Sequence, residues 1–114
     1  MEKSIIKNIP ASEITALTDL VQIQPGQIVS KNLTQNKAVS ITLFAFDKDE
    51  EISTHDSEGD AMVTVLEGKG QVTIDGTDYV LNQGETIIMP AKKPHSVFAI
   101  ESFKMLLVVV FPQK

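Results

Sequence analysis

The chain contains no cysteine, which excludes disulfides, thiolate catalysis and cysteine-based zinc sites. It contains no arginine either, so all 10 of its basic residues are lysines. The guanidinium fork is the usual bidentate reader of carboxylate and phosphate, and its absence argues against phosphate-rich ligands. Positive charge is also outnumbered: 15 acidic residues leave a formal charge of -5. Nucleic acid and anionic membrane surfaces are bound by clustered Lys and Arg that displace counterions, so neither is an expected partner. Long apolar runs are missing as well. The longest, Met105 to Phe111, falls far short of the ~20 residues that span a bilayer as a helix. The N-terminal MEKSIIKNIPASEI has no apolar stretch of the kind that opens a secretory leader. The expectation is a cytoplasmic protein.

What is present suits one ordinary domain. The chain has 114 residues, 42% of them hydrophobic, enough for a single packed core over residues 1–114. Its punctuation is that of a β protein, with short runs rich in Val, Ile, Thr and Phe between turn clusters. Val39 to Phe46 alternates, with Val39, Ile41 and Leu43 on one side and Ser40 and Thr42 on the other. Phe44 and Phe46 then fall on the otherwise polar face, which marks them for packing or for a subunit interface. Gln24-Pro25-Gly26-Gln27 has the residues of a type II turn and Asp75-Gly76 those of a tight hairpin. Further strands are expected at Ile5–Ile9, Ile28–Lys31, Met62–Leu66, Gln71–Ile74, Tyr79–Leu81, Thr86–Met89, Ser96–Ile100 and Phe103–Phe111. One short helix, capped by Ser12, is expected over Ser12–Leu20. Asp47 to Glu51 reads as an exposed charged loop. About ten short strands and so little helix point to an all-β sandwich or barrel, of which a jelly roll is the compact solution.

Two stretches carry the chemistry. Thr54 to Gly76 reads THDSEGDAMVTVLEGKGQVTIDG, and Gly84 to His95 reads GETIIMPAKKPH. The chain has only two histidines, His55 and His95, one in each stretch. Together they resemble the paired motifs of the cupins, written G-x5-H-x-H-x3,4-E-x6-G and G-x5-P-x-G-x2-H-x3-N. Gly84, Pro90 and His95 fall on the glycine, proline and histidine of the second motif, and His55 on the first histidine of the first. The resemblance covers residues 38–111, leaving 1–37 as an N-terminal arm. It implies a double-stranded β-helix, or jelly-roll barrel, and a dimer of identical chains.

The departures bear on function. Asp49 and Lys92 replace motif glycines, and Ala99 replaces the final asparagine. Ser57 stands at the second histidine and Ala61 at the glutamate. The resemblance implies a metal held by three His and one Glu; half of that set is absent here. A divalent ion (Fe, Mn, Ni, Zn or Cu) on His55 and His95 alone would be weakly held, since such ions usually take three or four protein ligands. Asp60 is the candidate third ligand. Alternation opposes it, because Ala61 already takes the inward position, although a residue entering from the turn at Ser57–Asp60 can still point inward.

The leading expectation is a small-molecule-binding cupin with His55, Ser57 and His95 in one cavity. One alternative is a metal-dependent enzyme of dioxygenase, isomerase or decarboxylase type. Another is a non-catalytic dimerisation or sensor module. Met62, Met89 and Met105 are either core or the lining of a soft, adaptable pocket. Leu106 to Val110 lacks polar alternation, so both faces of that strand should be covered, by the N-terminal segment or by a second subunit.

Overall fold

The computed structural model describes residues 5–113. Nine strands occur among them: β1 Ile28–Gln35, β2 Val39–Phe46, β3 Glu51–His55, β4 Asp60–Glu67, β5 Lys69–Ile74, β6 Thr77–Asn82, β7 Thr86–Met89, β8 His95–Ala99 and β9 Phe103–Val110. They form two antiparallel sheets, ordered β1-β2-β9-β4-β7 and β3-β8-β5-β6. The chain crosses from sheet to sheet as it proceeds, and the two inner faces close on one core. This is the jelly-roll barrel. No helix among the described residues is long and apolar enough to cross a membrane.

The turns form where backbone chemistry asks for them. Gln27 N donates to Gln24 O at 3.1 Å, with Gly26 at φ +68°, the geometry of a type II turn. Asp75 and Gly76 both have positive φ, +48° and +85°, as a type I′ hairpin between β5 and β6 requires.

The core lies between the sheets. Phe46, Val63, Val65, Val72, Phe103 and Met105 are buried there, and the rings of Phe46 and Phe103 stack with centroids 4.6 Å apart. Phe46 faces this core and Phe44 packs against it, the packing role of the two readings. A second cluster lies outside the barrel, where Leu17, Leu20, Val21 and Ile23 of the N-terminal arm cover Leu43, Ala45 and Leu106. Lys104 is buried under the same arm and donates from Nζ to Thr18 O at 2.6 Å. The arm therefore covers β9 at its Lys104 and Leu106 end. At the other end Val110 is 57% exposed.

Two expectations are corrected. Ile5–Ile9 is not a strand: it bends, with Asn8 at φ +64°, and touches β1 through Lys7 N to Leu33 O and Thr34 Oγ1 to Ile5 O. The Ser12–Leu20 helix shrinks to a 3-10 turn at Leu17–Leu20. Ser12 lies at φ +60° and caps nothing; Ala16 precedes the turn, without a side-chain cap. The arm holds its place by burying Leu17, Leu20 and Val21, which needs no regular helix. The charged loop at Asp47 is exposed at Lys48, Asp49 and Glu51, as expected, but Asp47 itself is held by hydrogen bonds. The Asp47 carboxylate accepts from Gly26 N at 2.7 Å, Lys48 N at 2.9 Å and Ser102 Oγ at 3.1 Å. These bonds, the one from Gly26 foremost, hold its pKa below the ordinary aspartate value. Glu51, at the end of that loop, already begins β3.

Candidate functional site

The two histidines meet because their strands pair. His55 ends β3, His95 begins β8, and they are direct partners in the antiparallel register. Opposite residues in such a pair project to the same face. On β8, His95, Val97 and Ala99 are buried and point into the barrel, as alternation requires. The Nε2 atoms of His55 and His95 lie 3.2 Å apart, with the rings edge to face rather than head on. His95 is 4% exposed, whereas His55 sits exposed at the mouth.

The backs of both rings are fixed. His55 Nδ1 is 2.9 Å from Ser53 O, and His95 Nδ1 is 3.2 Å from Lys93 O. A carbonyl oxygen only accepts, so each contact is a hydrogen bond in the tautomer that carries its hydrogen on Nδ1. The 3.2 Å between the two Nε2 atoms suits a hydrogen bond in which one ring donates and the other accepts, so the tautomers of the two rings are coupled. Burial, and next the nearby His55, hold the His95 pKa below the ordinary histidine value.

Below the pair lies a cavity of about 270 Å³. Ser57, from the loop after β3, lines it beside the two histidines, as expected. Its hydroxyl accepts from Gly59 N at 3.2 Å. The walls are apolar. Ile52 and Val97 come from the four-stranded sheet, and Phe44, Ala61, Met89, Met105, Leu107 and Val109 from the other. Met89 and Met105 thus line the pocket, while Met62 faces outward at 37% exposure.

Asp60 does not join the histidines. Its Oδ1 accepts from Ala91 N at 2.8 Å, and the inward position at this point of β4 belongs to Ala61. Alternation decides the matter against the turn. Among the described residues no group of three or more His, Asp or Glu side chains is placed to hold a metal.

The replaced glycines tell a different story from the replaced ligands. Asp49 lies at φ +72° and Lys92 at φ +66°, the left-handed conformation for which glycine is the default. The backbone keeps the shape of the motif although the residue has changed. At Ser57 and Ala61 it is the donor atoms that are lost, and no backbone geometry restores them.

The family model described as the cupin domain matches residues 42–111. The chain belongs to the cupin family. Among solved structures, this cupin is similar to a conserved protein of unknown function from Streptococcus pyogenes, at 46% identity over 98% of both chains and a TM-score of 0.95. A cupin superfamily protein from Desulfitobacterium hafniense is 28% identical over 96% of this chain and 100% of its own, with a TM-score of 0.91. A cupin 2 conserved barrel domain protein from Leptotrichia buccalis is 41% identical over 82% of this chain and 45% of its own, with a TM-score of 0.80. No curated protein matches the chain in sequence.

The cupin frame raises the question of a metal. The donor set does not fit the ion that a full set of three His and one Glu would hold. Two imidazoles converge, but Ser57 uses its oxygen on Gly59 N, Ala61 offers no donor, and Asp60 is turned away. A hard or borderline divalent ion such as Fe or Mn would lack the carboxylate that such sites supply.

Proposed function

We propose that this cupin binds a small, largely apolar molecule with one polar head, seated so that the head meets His55, Ser57 and His95. The observation that carries the reading is the 270 Å³ cavity with eight apolar wall residues and all its polar side chains at one end. A pocket of that size and lining recognises shape by burial and orientation by a few placed polar groups. No lysine lines it, so a strongly anionic ligand would find no counter-charge there. The test is a homologous series of short alcohols and amides, followed by calorimetry. Affinity should rise with each methylene by up to about 0.8 kcal/mol until the cavity is full. Ala61→Leu, which fills the cavity from β4, should abolish binding. If no member of the series binds, or if Ala61→Leu binds as well as the native protein, the reading fails.

The chain's partner in this proposal is a second copy of itself. Ile41, Val108, Met62 and Ile88 stand directly opposite one another across β2, β9, β4 and β7, on the outer face of the five-stranded sheet. Met62, Ile88 and the neighbouring Val110 are 37%, 50% and 57% exposed. This row carries no charge in a chain of net charge -5, so self-association meets the least repulsion here. Like faces of a sheet are self-complementary under two-fold symmetry. Light scattering at micromolar concentration should give a dimer mass, and Ile88→Lys should give the monomer. A native protein that is monomeric there would end the proposal.

A further inference from the structure

Three polar contacts hold the histidine pair: His55 Nδ1 to Ser53 O at 2.9 Å, His95 Nδ1 to Lys93 O at 3.2 Å, and Nε2 to Nε2 at 3.2 Å. Each needs one hydrogen on a ring nitrogen, because the carbonyl oxygens only accept. Two neutral imidazoles carry two hydrogens between them. Whichever tautomers the rings take, one of the three contacts is a hydrogen short. An unmade hydrogen bond at a group as buried as His95 is costly, so a group that brings the missing hydrogen is favoured there. Water reaching the exposed His55 can bring it. A ligand head that displaces this water has to bring it instead.

Ser57 has the opposite need. Its Oγ accepts from Gly59 N at 3.2 Å and still has its own hydrogen to give. It lines the cavity beside the pair. The polar end therefore asks for a head that donates at one point and accepts at another. Ser57 lies two residues beyond His55, so the two points are separate, which suits a head whose donor and acceptor are different atoms. A primary carboxamide is such a head. A ketone, ester or nitrile only accepts. A carboxylate also lacks the hydrogen, and it brings a charge to walls that carry no lysine.

We propose that the ligand of this cavity is a primary carboxamide on a short apolar tail, with its N–H donated to the His55 and His95 pair and its carbonyl accepting from Ser57. The inference rests on the apolar-ligand reading and names the head of that ligand. The comparison that isolates the head is an amide against the methyl ketone of the same shape. The amide is the more costly of the two to take out of water, so it wins only where its N–H finds an acceptor.

The test is calorimetry on the full-length protein without a histidine tag at about pH 8, above the ordinary range of histidine. The probes are hexanamide, methyl pentyl ketone, hexanoate and hexanol. Hexanamide is expected to bind tightest, by about tenfold or more over the ketone. Nitrogen NMR of the labelled histidines reads where the ring hydrogens sit. With hexanamide bound, both rings should show the Nδ1–H tautomer, leaving each Nε2 to accept. Ser57→Ala should weaken hexanamide and the ketone alike, by about twofold to tenfold, because it removes only the bond to the carbonyl. The proposal is overturned, with the apolar-ligand reading still standing, if the ketone, hexanoate or hexanol binds as tightly as hexanamide. It is overturned in the same way if a ring keeps its Nε2–H at saturation, or if Ser57→Ala binds hexanamide as the native protein does. If none of the four probes binds, the proposal and the apolar-ligand reading fall together.

Discussion

At one end of the barrel Phe46 and Phe103 stack, and just beyond them Asp47 and Ser102 hydrogen-bond, tying the end of β2 to the loop before β9. At the other end, along the same two sheets, His55 and His95 face each other above an open cavity. The closed end is so tight that a β-carbon on Gly70 would lie 2.8 Å from the Phe103 ring. The open end has Ala61 where a larger side chain would close the space. One end is packed for stability and the other is left unfilled. An unfilled apolar cavity costs dispersion contacts, so a fold that keeps one leaves room for a ligand at some expense of stability.

The sharpest way to break this contrast is to remove packing at the closed end. Phe103→Ala should cost about 3–5 kcal/mol, measured by urea denaturation. A loss below 1 kcal/mol would mean that the stack does not anchor the barrel. The converse change at the open end, Ala61→Leu, should alter stability by less than about 1.5 kcal/mol in either direction, because the added methylenes enter existing space. A large destabilisation there would show that the end is already full.

Acid should separate the ends more finely, in metal-free protein. Burial holds His95 in its neutral form, so the unfolded chain takes up that proton first as pH falls below about 6.5. Its folded pKa lies lower, so the fold loses stability between the unfolded and folded values. Asp47 favours its charged form through hydrogen bonds from Gly26 and Lys48. Its contribution is present above the model value of 3.8 and is lost as pH falls through the lower folded pKa. Denaturation midpoints should therefore fall in two windows. His95→Asn should flatten the upper one and Asp47→Asn the lower. A profile that His95→Asn leaves unchanged would place no proton-linked strain at the open end.

Much of the fold was legible in sequence order. The strands expected at Val39–Phe46 and Thr86–Met89 have those bounds, and the Asp75-Gly76 and Pro25-Gly26 turns form as their residues imply. β3 was not legible, because Glu51-Ile52-Ser53-Thr54-His55 is an edge strand with only Ile52 and His55 lining the interior, so its apolar signal is a single residue. The arm was misread for the opposite reason. Its apolar residues suggested longer regular elements, but Leu17, Leu20, Val21 and Ile23 pack on Leu43 and Ala45 with no more than a 3-10 turn, and Ile5, Ile6 and Ile14 stay exposed. Within the site, His55, Ser57 and His95 were legible from motif spacing. Asp60 was excluded by the inward placing of Ala61, and of the three methionines that the sequence left as core or lining, only the strand register showed that Met89 and Met105 face the cavity while Met62 faces out.

By itself the sequence determined the architecture, the pair of histidines and the absence of their usual carboxylate, because turn chemistry, strand alternation and motif spacing are local properties of the chain. Which face of β2 turns inward, and what lies across from Ala61, were decided only by tertiary structure. Alternation sorts side chains into two faces, but it takes the pairing of distant strands to choose which face becomes the core. The same pairing brings His55 and His95, 40 positions apart, to within 3.2 Å.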